Sequence, residues 1–265
     1  MNNLSGAGIV IPAFNEADNL ERVLETVCAI PQLAQIIVVD DGSADNTWVI
    51  ADRFARQHDR LSVLRLAQNQ GKGGAMLAGV RSLQTEFVIF VDADLVNMQP
   101  DHLLALYEPV AAGACQMSIA VFRHGGLLTD ASHLFAPHLT GQRCLRRLDA
   151  EQILTPLQDS RYGVETGLTV YAKRHHWQIC QVVWRGVTHC MKEQKREKII
   201  GLYSRWQMYR QIIATWTQTA RHRLWQRRPA SIWERTSEPP EKSPGATQDS
   251  KQSARQASWS FAHRA

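Results

Sequence analysis

The 265-residue chain contains no apolar run approaching the ~20 residues needed to cross a bilayer, so no membrane-spanning helix is expected. Its first residues carry no basic stretch followed by an apolar one, and a secretory leader is not expected either. Cysteine is sparse. Cys28, Cys115, Cys144, Cys180 and Cys190 are odd in number and share no metal-ligand spacing, which argues against a disulfide framework or a zinc module. Reduced thiols and a cytoplasmic location are the expectation. The Gly-x4-Gly-Lys-Ser/Thr phosphate loop is absent, and so are internal repeats. Acidic residues are in the minority: the formal net charge is +5 and the pI about 9.1, which favours anionic partners without choosing among them.

What is present is organised around Phe87 to Val91, an unbroken apolar run of β-branched and aromatic residues that reads as a strand buried on both faces. It ends in Asp92 and Asp94, one residue apart. Three similar runs precede it: Gly8 to Pro12, Gln35 to Val39, and Leu61 to Leu66. Between them lie segments with helical apolar spacing, through Leu20, Val23, Leu24 and Val27, then Val49, Ile50 and Phe54, then Met76, Leu77, Val80 and Leu83. This alternation predicts an α/β fold with a mostly parallel central sheet and helices on both faces. Asp101 to Ala112 is expected as a helix, Ala114 to Phe122 as a strand, and His124 to Thr140 as a loop. A helix is expected from Gly163 through His175, and a strand over Gln178 to Val183.

Polar residues collect at the ends of these strands. Gln35 to Val39 runs into Asp40-Asp41, and Leu61 to Leu66 is followed by Gly71-Lys72-Gly73-Gly74 opening a helix. Glycines there let backbone N–H groups approach a phosphate, and a helix N-terminus adds its dipole. Asp92 and Asp94 offer the hard oxygen ligands that a divalent cation requires. Each feature alone reads equally well as a turn; an acid pair, a lysine among glycines and a second acid pair in one half-sheet point to a ligand crevice.

Ile11-Pro12-Ala13-Phe14-Asn15-Glu16, Val38-Val39-Asp40-Asp41-Gly42-Ser43, Gly71-Lys72-Gly73-Gly74 and Phe90-Val91-Asp92-Ala93-Asp94-Leu95 together resemble the family 2 glycosyltransferases of the GT-A fold. The resemblance covers residues 8–100. It implies a nucleotide-diphosphate sugar as donor and Mn2+ or Mg2+ as cofactor. Pro12, Ala13, Asn15, Glu16 and Asp41 would then hold base and ribose, with Lys72 close by. Asp92, Ala93 and Asp94 would serve ribose and cation, with Asp94 as the catalytic metal ligand. Further on, Leu139-Thr140-Gly141-Gln142-Arg143, Tyr162 to Leu168 and Gly186-Val187-Thr188-His189 resemble glucosyl-3-phosphoglycerate synthases. That likeness implies His189 as a third metal ligand and Glu165 as an acid touching sugar or acceptor. A Gly-x-Arg element after the metal motif also resembles polyprenyl-phosphate sugar transferases. The acceptor implied is therefore a phosphorylated molecule or a polyprenyl phosphate, with Arg143 available to clamp its phosphate.

Residues 1–198 are expected to form the transferase domain, with 1–100 the nucleotide half and 101–198 the acceptor half. The stretch 199–228 mixes Trp206, Tyr209, Trp216 and Trp225 with Arg205, Arg210, Arg221 and Arg223, as a basic amphipathic helix at a membrane surface would. The alternative is a helix packed on the core with its arginines in water. Beyond 229, prolines, serines and charges predict a disordered tail. Two rival readings remain at this level. A nucleotidyltransferase also uses paired acids and a glycine-lysine turn, but expects a glycine-rich loop where Pro12 to Glu16 stand. A non-catalytic membrane- or nucleic-acid-binding protein leaves all four motifs unexplained, so nucleic acid is not an expected partner.

Overall fold

The computed structural model describes residues 4, 6–123, 140–158 and 163–190, and the backbone of 232–234 and 260–262. Its strands are β1 (Ala7–Ala13), β2 (Gln35–Asp40), β3 (Leu61–Arg65), β4 (Phe87–Phe90), β5 (Leu95–Val96), β6 (Met117–Arg123), β7 (Arg143–Arg146), β8 (Ile179–Arg185), β9 (Thr188–His189), β10 (Ile232–Glu234) and β11 (Ser260–Ala262). Its helices are α1 (Leu20–Cys28), α2 (Thr47–Ala55), α3 (Gly71–Ser82), α4 (Pro100–Ala111), α5 (Arg147–Leu154) and α6 (Val164–Arg174). Among the described residues, one sheet carries nine strands in the order β3-β2-β1-β4-β7-β6-β8-β10-β11.

Strands β3, β2, β1 and β4 are mutually parallel, as the alternation of strands and helices requires. The apolar runs divide by the period of two. Ile9, Ile11, Ile36, Val38, Ile89 and Val91 face one layer with Val23 and Leu24 of α1, Phe54 of α2, and Leu103 and Leu106 of α4. Val10, Ile37, Val39, Val88 and Phe90 face the other, with Met76 and Val80 of α3, Ile153 of α5 and Leu168 of α6. Both faces of the strands are therefore apolar, which is why the runs are unbroken. Helices cover both sides, as expected.

The second half departs from a simple continuation. Residues Arg143–Arg146, not expected as a strand, form β7, antiparallel to both β4 and β6. Four residues, Arg-Cys-Leu-Arg, are too short to carry a period, so only pairing with β4 reveals them. β7 joins residues 1–100 and 101–198 in a single sheet. The small ribbon of β5 and β9, Leu95 opposite His189, was likewise invisible in the sequence. None of the five cysteines forms a disulfide, and four are buried.

Two short strands, β10 and β11, fall within the segment expected as a tail and extend the edge beyond β8. The remainder of that segment, the 199–228 helix and the 124–139 part of the expected loop lie outside the described residues.

Gly79 marks the tightest helix-to-sheet approach. A Cβ there would overlap Val10 Cγ1 and stand 3.1 Å from Val39 Cγ2. Gly79→Val should destabilise the domain by about 1–3 kcal/mol, read as a lower urea midpoint; an unchanged midpoint would refute this packing.

Candidate active site

The site is assembled at the C-terminal ends of the parallel strands. After β4 the chain continues through Val91, whose N–H donates to Val10 O (3.1 Å), into Asp92-Ala93-Asp94 and then β5. Pairing of β5 with β9 carries His189 back across the sequence, and Cys190 N donates to Asp94 O (2.9 Å). His189 Nδ1 then lies 3.0 Å from Asp94 Oδ1. Ligand atoms of Asp92, Asp94 and His189 all fall within 4.8 Å of one another, each residue part-buried. The His189 ring packs 5.2 Å from that of Phe122, which stacks on the fully buried Trp184 at 5.8 Å.

Lys72, on the first turn of α3, reaches into this group. Its Nζ is 2.6 Å from Asp92 Oδ1 and 2.6 Å from Glu165 Oε1. Glu165 sits in the first turn of α6, where the helix dipole favours an anion. Burial alone would lower the Lys72 ammonium's pKa, but the two carboxylates outweigh it and hold it above the ordinary lysine value. Burial would raise Asp92, yet Lys72, His189 and Gln142 together hold its carboxyl below the usual range. For His189, burial is outweighed by the hydrogen bond to Asp94 and the charges of Asp92 and Asp94, and its pKa is raised. The cluster is a network of three carboxylates, an ammonium and an imidazole, with the carboxylates in excess of the cations.

Two hard carboxylates and an imidazole, converging from one turn and one ribbon, fit Mn2+ and, through their oxygens, Mg2+. The structure thus brings together Asp92, Asp94, His189, Lys72 and Glu165. Asn15 and Glu16 lie in the turn after β1, tied to the loop after β2. Asn15 N donates to Ser43 Oγ (2.9 Å), Ala44 N to Asn15 Oδ1 (2.9 Å), and Glu16 N to Thr47 Oγ1 (2.8 Å). Pro12 and Ala13 end β1 against Val39 and Asp40. An open cleft of about 320 Å³ lies at the ends of β2 and β3, lined by Gly42, Ser43, Arg65, Leu66 and Ala67.

Three residues stand differently from expectation. Arg143, expected to clamp an acceptor phosphate, is fully buried. Its guanidinium donates to Thr140 O (2.6 Å) and Glu165 O (3.1 Å). Burial lowers its pKa to about 10 despite the nearby charges of Glu165 and Asp92. As part of β7 it ties the start of α6 to the chain before the strand. Asp41 is also buried, its oxygens accepting Gln70 N (2.7 Å) and Gly71 N (2.9 Å). It caps α3 and so fixes the turn that carries Lys72, which is what an acid at a helix start does best. Ala93, expected against ribose, alternates inward with Val91 and Leu95 into the core.

Sequence reasoning passed over Gln142, whose Nε2 donates to Asp92 Oδ2 (2.6 Å). The only signal was its place inside the Gly-x-Arg element, where attention fell on the arginine.

The strand ends of this parallel half-sheet converge on acids, a lysine and an imidazole, at the place where open α/β sheets form a ligand crevice. The family model described as "Glycosyl transferase family 2" matches residues 8–166, more than half of the chain, which therefore belongs to that family. Among curated relatives, undecaprenyl-phosphate 4-deoxy-4-formamido-L-arabinose transferase of Pseudomonas fluorescens is 38% identical over 110 residues. The match spans 40% of this chain and 32% of that protein. Human dolichyl-phosphate beta-glucosyltransferase is 32% identical over 104 residues, 35% of this chain and 32% of that one. The match thus spans about a third of the length of these relatives.

Among solved structures, glucosyl-3-phosphoglycerate synthase from Mycobacterium tuberculosis, in complex with Mn2+ and UDP-glucose, aligns with a TM-score of 0.63 at 26% identity. That alignment covers 81% of this chain and 78% of that one. The fold is GT-A.

The Lys72 network yields a pH signature. Asp92's depressed pKa contributes stability that is present above the ordinary carboxylate range and lost as pH falls through its folded value. Lys72's raised pKa contributes below the ordinary lysine range and is lost as pH climbs through its folded value. Lys72→Met should therefore lower stability most near neutrality, by about 1–3 kcal/mol after discounting for the 29% exposure of the lysine side chain. The difference from the parent should shrink below about pH 4. Chemical denaturation across pH measures it, and a pH-independent difference would contradict the network.

Proposed function

We propose that the chain is a metal-dependent glycosyltransferase moving a sugar from a nucleotide-diphosphate donor to a phosphorylated or polyprenyl-phosphate acceptor. The convergence of Asp92, Asp94 and His189 within 4.8 Å, beside the Lys72–Glu165 pair, carries this reading. The names of the curated relatives, which are polyprenyl-phosphate sugar transferases, support the acceptor class. Solved neighbours in complex with Mn2+ or Mg2+ and UDP support the cofactor and the kind of donor.

In this reading Asp94 and His189 hold the cation, and Asp92 orients the ribose or completes the metal's ligand set. When bound, the cation neutralises charge that develops on the departing nucleoside diphosphate. The turn from Pro12 to Glu16 and the neighbouring cleft by Gly42 and Arg65 form the nucleoside end. Lys72 bridges Asp92 and Glu165 with one ammonium. A phosphate acceptor is already ionised and needs no base; with a hydroxyl acceptor, Glu165 is the carboxylate placed to take the proton.

Release of nucleoside diphosphate is the direct test, with a panel of nucleotide sugars, Mn2+ or Mg2+, and either polyprenyl phosphate or phosphoglycerate. Asp94→Ala should reduce turnover by at least about 100-fold. Metal-dependent turnover that survives this change, or pyrophosphate release by the parent, would overturn the assignment.

No helix among the described residues is long and apolar enough to cross a membrane. The aromatic and basic composition of 199–228 supports peripheral contact with an anionic membrane. The full chain should float with anionic liposomes at low salt and be released at high salt. Flotation equal with neutral vesicles, or none, would count against that contact.

A further inference from the structure

We infer that Thr140 and Gln142 form a one-way hydrogen-bond relay that sets the plane of the Asp92 carboxylate, and that Gln142 is a positioning residue for the metal and donor site. The inference rests on the sugar-transfer reading of that site and adds to it a second shell drawn from the segment leading into β7. Because β7 runs antiparallel beside β4, with Arg143 opposite Phe90, the residues just before β7 pass the end of β4 where Asp92 stands. Contact here is close: a Cβ on Gly141 would overlap both oxygens of the Asp92 carboxylate. Only glycine lets the backbone lie against the acid.

The direction of the relay follows from donor and acceptor inventory. Gln142 backbone N–H donates to Thr140 Oγ1 (3.3 Å), so the hydroxyl's own proton is free to point elsewhere. It points to Gln142 Oε1 at 2.7 Å. With its oxygen engaged, the amide turns Nε2 toward Asp92 Oδ2 at 2.6 Å. The flipped amide would set an oxygen against a carboxylate oxygen and an NH2 against a hydroxyl already accepting. Thr140 and Gln142 are both buried, 2% and 0% exposed, so water does not compete for these bonds.

On its other side Asp92 accepts from Lys72 Nζ, so each carboxylate oxygen has a fixed donor and rotation about the last side-chain bond is blocked. Lys72 divides its ammonium between Asp92 and Glu165, whereas the buried amide, held by Thr140, has Asp92 as its acceptor. Gln142 therefore keeps Asp92 aligned with Asp94 and His189 whatever the lysine does. Partners of metal ligands and of acids beside them act through orientation, and their loss typically costs about 10–100-fold in metal affinity or activity.

The test uses the full-length chain and Mn2+ alone as probe, with free Mn2+ followed by electron paramagnetic resonance and folding checked by circular dichroism. Gln142→Leu, which keeps the volume and removes the donor, should weaken Mn2+ binding by about 10–100-fold. In turnover it should raise the KM for Mn2+ more than it lowers kcat. Thr140→Val should shift both readouts in the same direction by less, and Thr140→Ser, which restores the hydroxyl, should return them to the parent values.

A folded Gln142→Leu protein with Mn2+ affinity within twofold of the parent overturns the relay. If that variant does not fold, Thr140→Val decides: unchanged Mn2+ affinity, or failure of Thr140→Ser to restore it, overturns the relay equally. Failure of the underlying reading looks different. There the parent itself binds no Mn2+ and releases no nucleoside diphosphate, and the relay falls with it.

Discussion

The shared ammonium of Lys72 is the interaction on which the site's architecture depends. Asp92 comes from the end of β4 and Glu165 from the first turn of α6, two elements separated by more than seventy residues of chain. Two carboxylates converging in a part-buried crevice repel unless a cation stands between them. Lys72 meets both at 2.6 Å, so residues 1–100 and the later segment carrying α6 are joined by electrostatics at the point where chemistry is proposed. The lysine is placed in turn by Asp41, which caps the helix that carries it. Asp41 therefore positions the ammonium that joins Asp92 to Glu165.

Around this network the fold divides labour between buried polar groups and apolar layers. Arg143 gives up solvent to bind two carbonyls, Thr140 O and Glu165 O, and so ties the segment before β7 to the start of α6. Burying a guanidinium without a direct carboxylate partner is costly, and the depressed pKa records that cost. Glu165 and Asp92 offset it through charge at longer range. On the opposite face, Trp184 and Phe122 stack behind His189 and leave the imidazole little freedom to turn from Asp94. Membership of the glycosyl transferase family 2 and the GT-A fold agree with this arrangement of acids, a lysine at a helix N-terminus and flanking loops at the strand ends.

Much of the first hundred residues was legible in the sequence. Strands β1, β2 and β4 are continuous apolar runs, and their helices carry apolar residues at helical spacing, so both periods could be read without tertiary knowledge. Asp92, Asp94, Lys72, His189 and Glu165 were all singled out from motifs and do converge. What the motifs did not reveal was burial: Arg143 also binds two carbonyls, Asp41 also caps a helix, and Ala93 packs into the core, because residue type and motif position do not say how deep a side chain lies.

The sequence by itself determined the α/β alternation, the apolar layers on both faces and the delivery of acids to strand ends. Those are local properties, carried by the period of apolar residues and by the residues that stop each run. The closed tertiary structure alone shows that β7 inserts antiparallel between β4 and β6, that a two-residue ribbon draws His189 onto Asp94, and that Gln142 rather than Arg143 hydrogen-bonds Asp92. These depend on contacts between residues from 24 to 95 positions apart, set by register across a sheet and by which polar side chain is left facing the crevice once the core has closed.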